Sequence, residues 1–456
     1  LNLISILYNL IAIPLLSLVV AILKPFNKKL RERESNWEDV LVGFKSKLQG
    51  NGKYRIWFHA ASMGEFEQAK PIIEKLKKNN REIFIIVSFY SPSGYNNQKN
   101  YSFADTVLYM PFDSRANAKY FVKTIKPDIA IFVRYEIWRN HLEILKKKKI
   151  PAMLICATKP GWKYLYECFL IRPFTKSNYS YFQKIYTVSE EHSAFFRELD
   201  ITAEVNTLND TRFDRIIENV ELNQGKKVLD LALFGENDFV LVAGSTWDED
   251  EDIIIDAIRQ FEKDSQKELR LIIVPHEPTE SHLKKLKNKI PNSFLLSQVE
   301  DFLVKEKDES VISNFLGKNH IIVDSIGKLL SLYSIADATF IGGAFGSGVH
   351  SVTEPAGYGI PLSCGPKMTN SPDALKLKEY GSLIVVSNSF EMAEWIKKVV
   401  KNETYRLQAG MLNRDYIFKY RGASENIVKE IEKVFRHNDS LLSSYKLNKF
   451  NVLSKE

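Results

Sequence analysis

The stretch YRIWFHAASMGEFEQAKPIIEKLKK, Tyr54 to Lys78, decides the fold. It opens as an apolar run of strand length, passes through the small residues Ala60, Ala61 and Ser62, turns at Gly64 and continues as an amphipathic helix from about Glu65. The unit then recurs. EIFIIVSFY, TVLYMPF, DIAIFVRY, AMLICAT and KIYTVS, beginning at Glu82, Thr106, Asp128, Ala152 and Lys184, read as buried strands, with helix patterns such as DSRANAKYFVKTIK and EEHSAFFRELD between them. Strands apolar on both faces and alternating with helices make a parallel sheet covered on two sides, a Rossmann-like half. Past a polar stretch near residues 218–227 comes a second series: DFVLVAGST, LRLIIVPHEP, HIIVDS, ADATFIGGAF, IPLSCGP and SLIVVSNS, beginning at Asp238, Leu269, His320, Ala336, Ile360 and Ser382. Two such halves imply a cleft, because ligands of open α/β sheets bind beyond the carboxyl ends of the strands. Residues 299–319, polar and aperiodic, read as a surface insertion, and from Thr404 one long amphipathic pattern runs to Phe435 before a loosely held polar tail. The expected divisions are 1–33 for an anchor and its basic flank, 34–222 and 223–437 for the two halves, and 438–456 for the tail.

Composition narrows the class. The 456 residues are 45% hydrophobic and 26% charged, which excludes wholesale disorder, a collagen-like chain and a polytopic membrane protein. Cys156, Cys168 and Cys364 form no C-x-x-C pair, so a disulfide framework or a cysteine zinc site is not expected, and a reducing compartment fits. The 63 basic against 56 acidic residues leave +7, too small a surplus for a nucleic-acid protein but suited to anionic lipid or phosphate ligands.

LISILYNLIAIPLLSLVVAIL, Leu3 to Leu23, carries no charge and is about as long as a bilayer needs. Lys24, Lys28, Lys29, Arg31 and Arg33 follow it and no basic residue precedes it, so the positive-inside rule predicts an uncleaved anchor with the remaining chain in the cytoplasm. A secretory signal has the opposite charge order. Pro14 in mid-run leaves open a helix buried in the protein or lying on the membrane surface.

Two clusters carry candidate chemistry. In HAASMGEFEQAKP, His59 to Pro71, a strand, a turn of small residues and a helix start in that order, so first-turn amides are available to an anion and Glu65 sits where a base would. An alternative reading makes Glu65 a complement to the helix dipole with Ser62 as cap, and His59 a structural hydrogen-bonder. Ser62 in A-x-S-x-G also stands one residue away from the hydrolase nucleophile elbow. The second cluster is FIGGAFGSGVHSVTEPAGYGIPLSCGP, Phe340 to Pro366, where glycines follow a strand and a helix starting near His350 would put His350 and Glu354 on one face. No Walker A, G-x-G-x-x-G or H-E-x-x-H pattern occurs, so ordinary ATPases, NAD enzymes and a metal site are not indicated.

Taken in order, HAASMGE at His59, PFD at Pro111, KPD at Lys126, YEIWRN at Tyr135, TRFD at Thr211, GST at Gly244, DSIGKLLSLYSIADATFIGG at Asp324 and VHSVTEPAGYGIPLSCGP at Val349 resemble the 3-deoxy-D-manno-octulosonic acid (Kdo) transferases of Gram-negative bacteria. The resemblance implies a GT-B fold, two Rossmann-like domains facing a cleft behind an N-terminal membrane anchor. It also implies transfer of Kdo from CMP-Kdo to the lipid A precursor in lipopolysaccharide core synthesis, at the cytoplasmic face of the inner membrane, with no cofactor, metal or nucleic acid. Glu65 would be the general base and Glu136 a second functional carboxylate. Ser245, Thr246, Gly342, Gly343, His350 and Glu354 would line the CMP site, with Ser62, Gly64, His276 and Ser351 completing the binding set. The chain departs from the family pattern in places. PHEPTE at Pro275 replaces P-R-H-P-E-R, so His276 stands where an arginine is usual. RYEIWRN at Arg134 replaces E-T-E-x-W-P-N and keeps one carboxylate of two, and Ser351 replaces an asparagine. The competing functions are another GT-B nucleotide-sugar enzyme (a UDP-sugar transferase or an epimerase), a Ser62 hydrolase, and a tethered nucleotide-binding protein without turnover.

Overall fold

The computed structural model describes residues 3–47, 54–80, 82–161, 168, 171–223, 229, 238–264, 268–306, 311 and 319–435. It divides into two compact units, residues 1–215 with 422–456, and residues 216–421. The boundaries expected at 222/223 and 437 thus fall at 215/216 and 421/422. The expected 404–435 helix is in fact two, Glu403–Lys419 and 423–435, separated by a turn at Tyr420–Gly422. The second returns to unit 1, where Ile427, Val428, Ile431 and Phe435 join the core, and the amides of Gly422 and Ser424 donate to Asp214.

Unit 1 holds a seven-stranded parallel sheet of β1 (Tyr54–Ala60), β2 (Ile83–Phe89), β3 (Thr106–Tyr109), β4 (Ile129–Val133), β5 (Ala152–Ala157), β6 (Lys184–Thr187) and β7 (Glu204–Thr207), in the order β3-β2-β1-β4-β5-β6-β7. Side chains alternate between its faces. Trp57, Ile86, Phe132 and Leu154 pack on one side, and Ile56, Phe58, Ile85, Val87 and Ile131 on the other, which is why these strands read as unbroken apolar runs. Unit 2 repeats the plan with β8 (Phe239–Thr246), β9 (Leu269–Pro275), β10 (Ser293–Leu295), β11 (His320–Ile322), β12 (Ala338–Ile341), β13 (Leu362–Cys364) and β14 (Leu383–Val385), ordered β10-β11-β9-β8-β12-β13-β14.

The twelve strands read from the sequence are all present. The two missed, β7 and β10, are both sheet-edge strands, short and only partly buried, so they lack the apolar run that marks a central strand. Residues 299–305 are not an insertion but the end of the helix Leu296–Lys305, which buries Leu296 and Val299; 307–310 and 312–318 lie outside the described residues. The polar stretch near 218 is helical through Asn223 as part of Thr211–Asn223, and 224–228 and the tail beyond 435 again lie outside. Leu3–Leu23 is one continuous helical segment with a π turn at Tyr8–Ala12 just before Pro14. Pro14 has no N–H and crowds the carbonyl four residues back, and a widened turn relieves that conflict.

Candidate active site

In unit 1 the strand order reverses between β1 and β4, the place where open α/β sheets collect ligands, and the carboxyl ends of these strands carry both candidate carboxylates. Beyond β1 the helix Met63–Asn79 begins, two residues earlier than the sequence reading placed it. Ser62 Oγ accepts the Glu65 amide at 3.5 Å, while Glu65 Oε2 accepts the Ala61 and Ser62 amides at 2.6 and 3.1 Å. This is a capping box, so the structural role weighed for Glu65 and Ser62 is real, and it occupies one carboxylate oxygen. Glu65 is 4% exposed. Burial first, and the charge of Glu136 second, hold its carboxyl above the usual glutamate range against the opposing pull of the two amides and His59. That raises its affinity for a proton at neutral pH, as a general base requires. A Cβ on exposed Gly64 would meet nothing, so glycine leaves this turn uncovered rather than answering a steric demand.

Beyond β4, Arg134 takes a left-handed conformation (φ 64°) and swings Tyr135, Glu136 and Trp138 off the sheet end. Glu136 Oε2 accepts the Trp138 indole N–H at 2.8 Å and lies 3.5 Å from His59 Nε2. His59 is fully buried at the end of β1, its Nδ1 3.1 Å from the Ser88 carbonyl and 2.9 Å from the Ser88 hydroxyl. A carbonyl only accepts, so Nδ1 carries the hydrogen and Nε2 faces Glu136. Asp210 and the TRFD segment that follows it brace the Glu65 helix: Asp210 accepts the Gln68 side-chain amide at 2.9 Å and Thr211 Oγ1 donates to the Gln68 carbonyl at 2.6 Å. A cavity of about 980 Å³ within unit 1 is bordered by Tyr135, Glu136 and Lys159 on one side and by Ile13, Leu16 and Val20 of the apolar helix on another.

The sequence reading missed a buried polar cluster beside this cavity. Asp113 accepts the Tyr8 hydroxyl at 3.0 Å and the Asn140 amide at 3.1 Å, and lies 2.7 Å from His141 Nδ1. Asn9 and Asn140 exchange side-chain amide bonds, each at 3.0 Å. Arg139, 1% exposed, donates to Ser5 Oγ at 3.0 Å, Ser177 Oγ at 3.1 Å and Asn178 Oδ1. The available signal was the spacing of Ser5, Tyr8 and Asn9, three polar residues on one helical face of an otherwise apolar run.

Unit 2 reverses its strand order between β8 and β12, and the predicted donor residues gather there. Ser245 is left-handed (φ 55°) where the β8–β9 register shifts. A Cβ on Gly342 would overlap the Ser245 carbonyl oxygen and lie 2.7 Å from Thr246 Cα, so only glycine permits this approach. Gly343 has φ 92°, and its amide and that of Trp247 both donate to buried Asp250 Oδ2, at 2.8 and 2.9 Å. Trp247 Nε1 donates to His350 Nε2 at 3.0 Å, and the His350 ring stacks on His276 at 4.3 Å. Burial, then the neighbouring His276, lower the His350 pKa, in keeping with a neutral ring accepting the indole hydrogen.

One expectation fails here. The helix begins at Thr353, not near His350, so His350 sits in the preceding loop and the shared helical face with Glu354 does not exist. Four glycines in ten residues, Gly342, Gly343, Gly346 and Gly348, favour a turning loop, and Gly343 and Gly348 both take positive φ. Glu354 stands in the first turn of that helix, and Ser351 is exposed with its hydroxyl 3.1 Å from that of Thr353.

Asp248, Glu251 and His282 bring three potential metal ligands together within 4.8 Å. They pair with one another: His282 Nε2 lies 2.9 Å from Glu251, whose hydrogen bond and charge raise the histidine's pKa although burial works to lower it. Glu251 also accepts the Thr246 hydroxyl at 3.0 Å.

A family model described as 3-deoxy-D-manno-octulosonic-acid transferase (kdotransferase) matches residues 29–215. The 3-deoxy-D-manno-octulosonic acid transferase of Rickettsia typhi is 26% identical over 394 residues, 86% of this chain and 78% of that protein. That of Haemophilus influenzae is 23% identical over 441 residues, 94% and 97% of the two chains. The chain is thus similar to Kdo transferases over residues 29–215 and, at 23 to 26% identity, over most of its length. Among solved structures, the UDP-GlcNAc 2-epimerase of Neisseria meningitidis is similar with a TM-score of 0.57 at 14% identity, over 83% of this chain and 100% of that one, a likeness of fold alone. With its two seven-stranded parallel sheets, the fold is of the GT-B type.

Proposed function

We propose that this chain is a Kdo transferase, moving Kdo from CMP-Kdo to a lipid A precursor, lipid IVA, at the cytoplasmic face of the inner membrane, without a metal or cofactor. The observation that carries this reading is Glu65: a buried carboxyl at a strand-order reversal, raised in pKa, with one oxygen left over from its capping box. As an acceptor hydroxyl attacks the anomeric carbon of Kdo, Glu65 takes its proton and the bond to the CMP phosphate breaks. Glu136, held by the Trp138 indole, stands beside Glu65, where its charge adds to burial in raising the Glu65 carboxyl.

On this reading unit 2 holds the nucleotide, at Ser245, Thr246, Gly342, Gly343 and the His276–His350 stack. His276 takes the place of the arginine usual in the family, so part of the donor's anionic charge is met by imidazole and by backbone amides. The test is incubation with CMP-Kdo and a tetra-acylated lipid A precursor, read by mass spectrometry of the lipid. A lipid heavier by one or more Kdo units is expected, and an unchanged lipid would overturn the assignment. Thermal protection by CMP and not by UDP separates it from a UDP-sugar enzyme of the same fold.

A further inference from the structure

The Leu3–Leu23 helix has two unlike faces. Leu3, Leu7, Leu10, Ile11, Leu15, Leu18 and Ile22 form an exposed apolar stripe, with Leu3 67% and Leu10 70% accessible. The opposite stripe of its first half, Ser5 to Ile13, belongs to unit 1, whereas residues 14–19 are exposed. Ser5 is bound by Arg139, Tyr8 by Asp113 and Asn9 by Asn140, then Ile13 is buried, and Leu16 and Val20 border the cavity that holds Glu136. From Ser5 to Ile13 this contact runs about 12 Å at 1.5 Å per residue, along the half of the helix farthest from Lys24.

A helix crossing the bilayer needs nearly all of its ~30 Å in hydrocarbon. Crossing here would carry the flank of unit 1 in with it, including buried Arg139 and Asp113 and the exposed Lys146 and Lys147, which border a second cavity together with Ser5. Charged groups in the hydrocarbon core cost several kcal/mol each. Exposed lysines flank both ends of the apolar stripe: Lys146 and Lys147 near Ser5, and Lys24, Lys28 and Lys29 after Leu23. A spanning helix has its two ends on opposite sides of the membrane, whereas cations at both ends suit a single anionic surface.

We propose that Leu3–Leu23 does not cross the membrane but lies in the plane of an anionic lipid surface, as the lipid-facing wall of unit 1. The exposed stripe enters the acyl boundary, the lysines at both ends meet lipid phosphates, and the opposite face walls the Glu136 cavity. The inference deepens the membrane reading above and rests on it.

The test uses the full chain carrying Cys168→Ser, because Cys156 and Cys364 are already buried. Single cysteines replacing Leu3, Leu10, Leu18 or Ile22 are spin-labelled and bound to vesicles of phosphatidylcholine with phosphatidylglycerol, and depth is read from oxygen against nickel-chelate accessibility. One shallow depth shared by all four sites is expected. A depth greatest at Leu10 and least at Leu3 and Ile22 would overturn the in-plane helix while leaving the transferase reading intact. No binding to vesicles at all would overturn both the in-plane helix and the membrane location, and Kdo transfer to detergent-dispersed acceptor would still test the enzyme. Separately, because Lys147 is paired with Glu143 at 2.6 Å, Lys146 carries the test, and Lys146→Gln should weaken vesicle binding about fivefold. Unchanged binding would count against the proposal.

Discussion

His59 Nε2 lies 3.5 Å from Glu136 Oε2, joining the ends of the two strands between which the unit 1 sheet reverses its order. Ser88 fixes the other ring nitrogen, the Trp138 indole holds Glu136 by its Oε2, and burial together with the charge of Glu136 raises Glu65. The candidate base is therefore tuned by a residue from another strand.

Glu65→Gln tests this arrangement. A glutamine oxygen can still accept the Ala61 and Ser62 amides, so the helix cap should survive while the proton acceptor is lost. Kdo transfer should fall by ~10² to 10⁴ with CMP protection unchanged. Glu65→Ala should in addition cost about 1 kcal/mol of stability through the cap. Ser62→Ala serves as the hydrolase control and should keep much of its rate.

The same residue predicts a pH dependence. A carboxyl raised in the folded state contributes stability that is fully present below the unfolded value, about 4.3, and is lost as pH rises through the folded value. The melting temperature of the native protein, minus that of Glu65→Gln, should therefore decline as pH is raised from 4 towards 8. A flat difference would mean that Glu65 is not raised.

His350 carries the opposite sign. Its pKa is lowered, so its contribution to stability is present above the unfolded value near 6.5 and is lost as pH falls through the lower folded value. Acidification should break the Trp247–His350 bond, a change visible in Trp247 fluorescence and absent in His350→Ala. His350→Ala and Glu354→Ala should each weaken CMP binding in a folded protein. Unchanged CMP affinity in both would remove this loop from the donor site.

Gly342→Ala should be among the costlier single changes in unit 2. The added methyl meets backbone at Ser245 and Thr246 rather than a yielding side chain, so a loss of about 1 to 3 kcal/mol in denaturant unfolding is expected. Gly64→Ala should fold normally.

Asn9→Leu makes the N-terminal helix more apolar while leaving Asn140 without the partner for its side-chain oxygen. Membrane binding should persist or strengthen, and the melting temperature should fall by the equivalent of about 1 to 3 kcal/mol. A simple tether would show no loss of stability.

The sequence by itself determined the two parallel sheets, since each central strand is an apolar run bounded by helices, and the order of motifs placed Glu65, Glu136 and the glycines at strand ends. It also marked Leu3–Leu23 as apolar enough for lipid. Periodicity reports what a residue's own segment buries, and for that reason it was silent on β7 and β10 at the sheet edges and on the return of 423–435 to unit 1. It offered the cap at Ser62 and Glu65 as one reading but could not say that Glu65 also feels the charge of Glu136, 71 positions away along the chain. Nor could it show that Arg139 is buried against Ser5 of the apolar helix. Hydrogen bonds and charges act through space, so those assignments belonged to the tertiary structure alone.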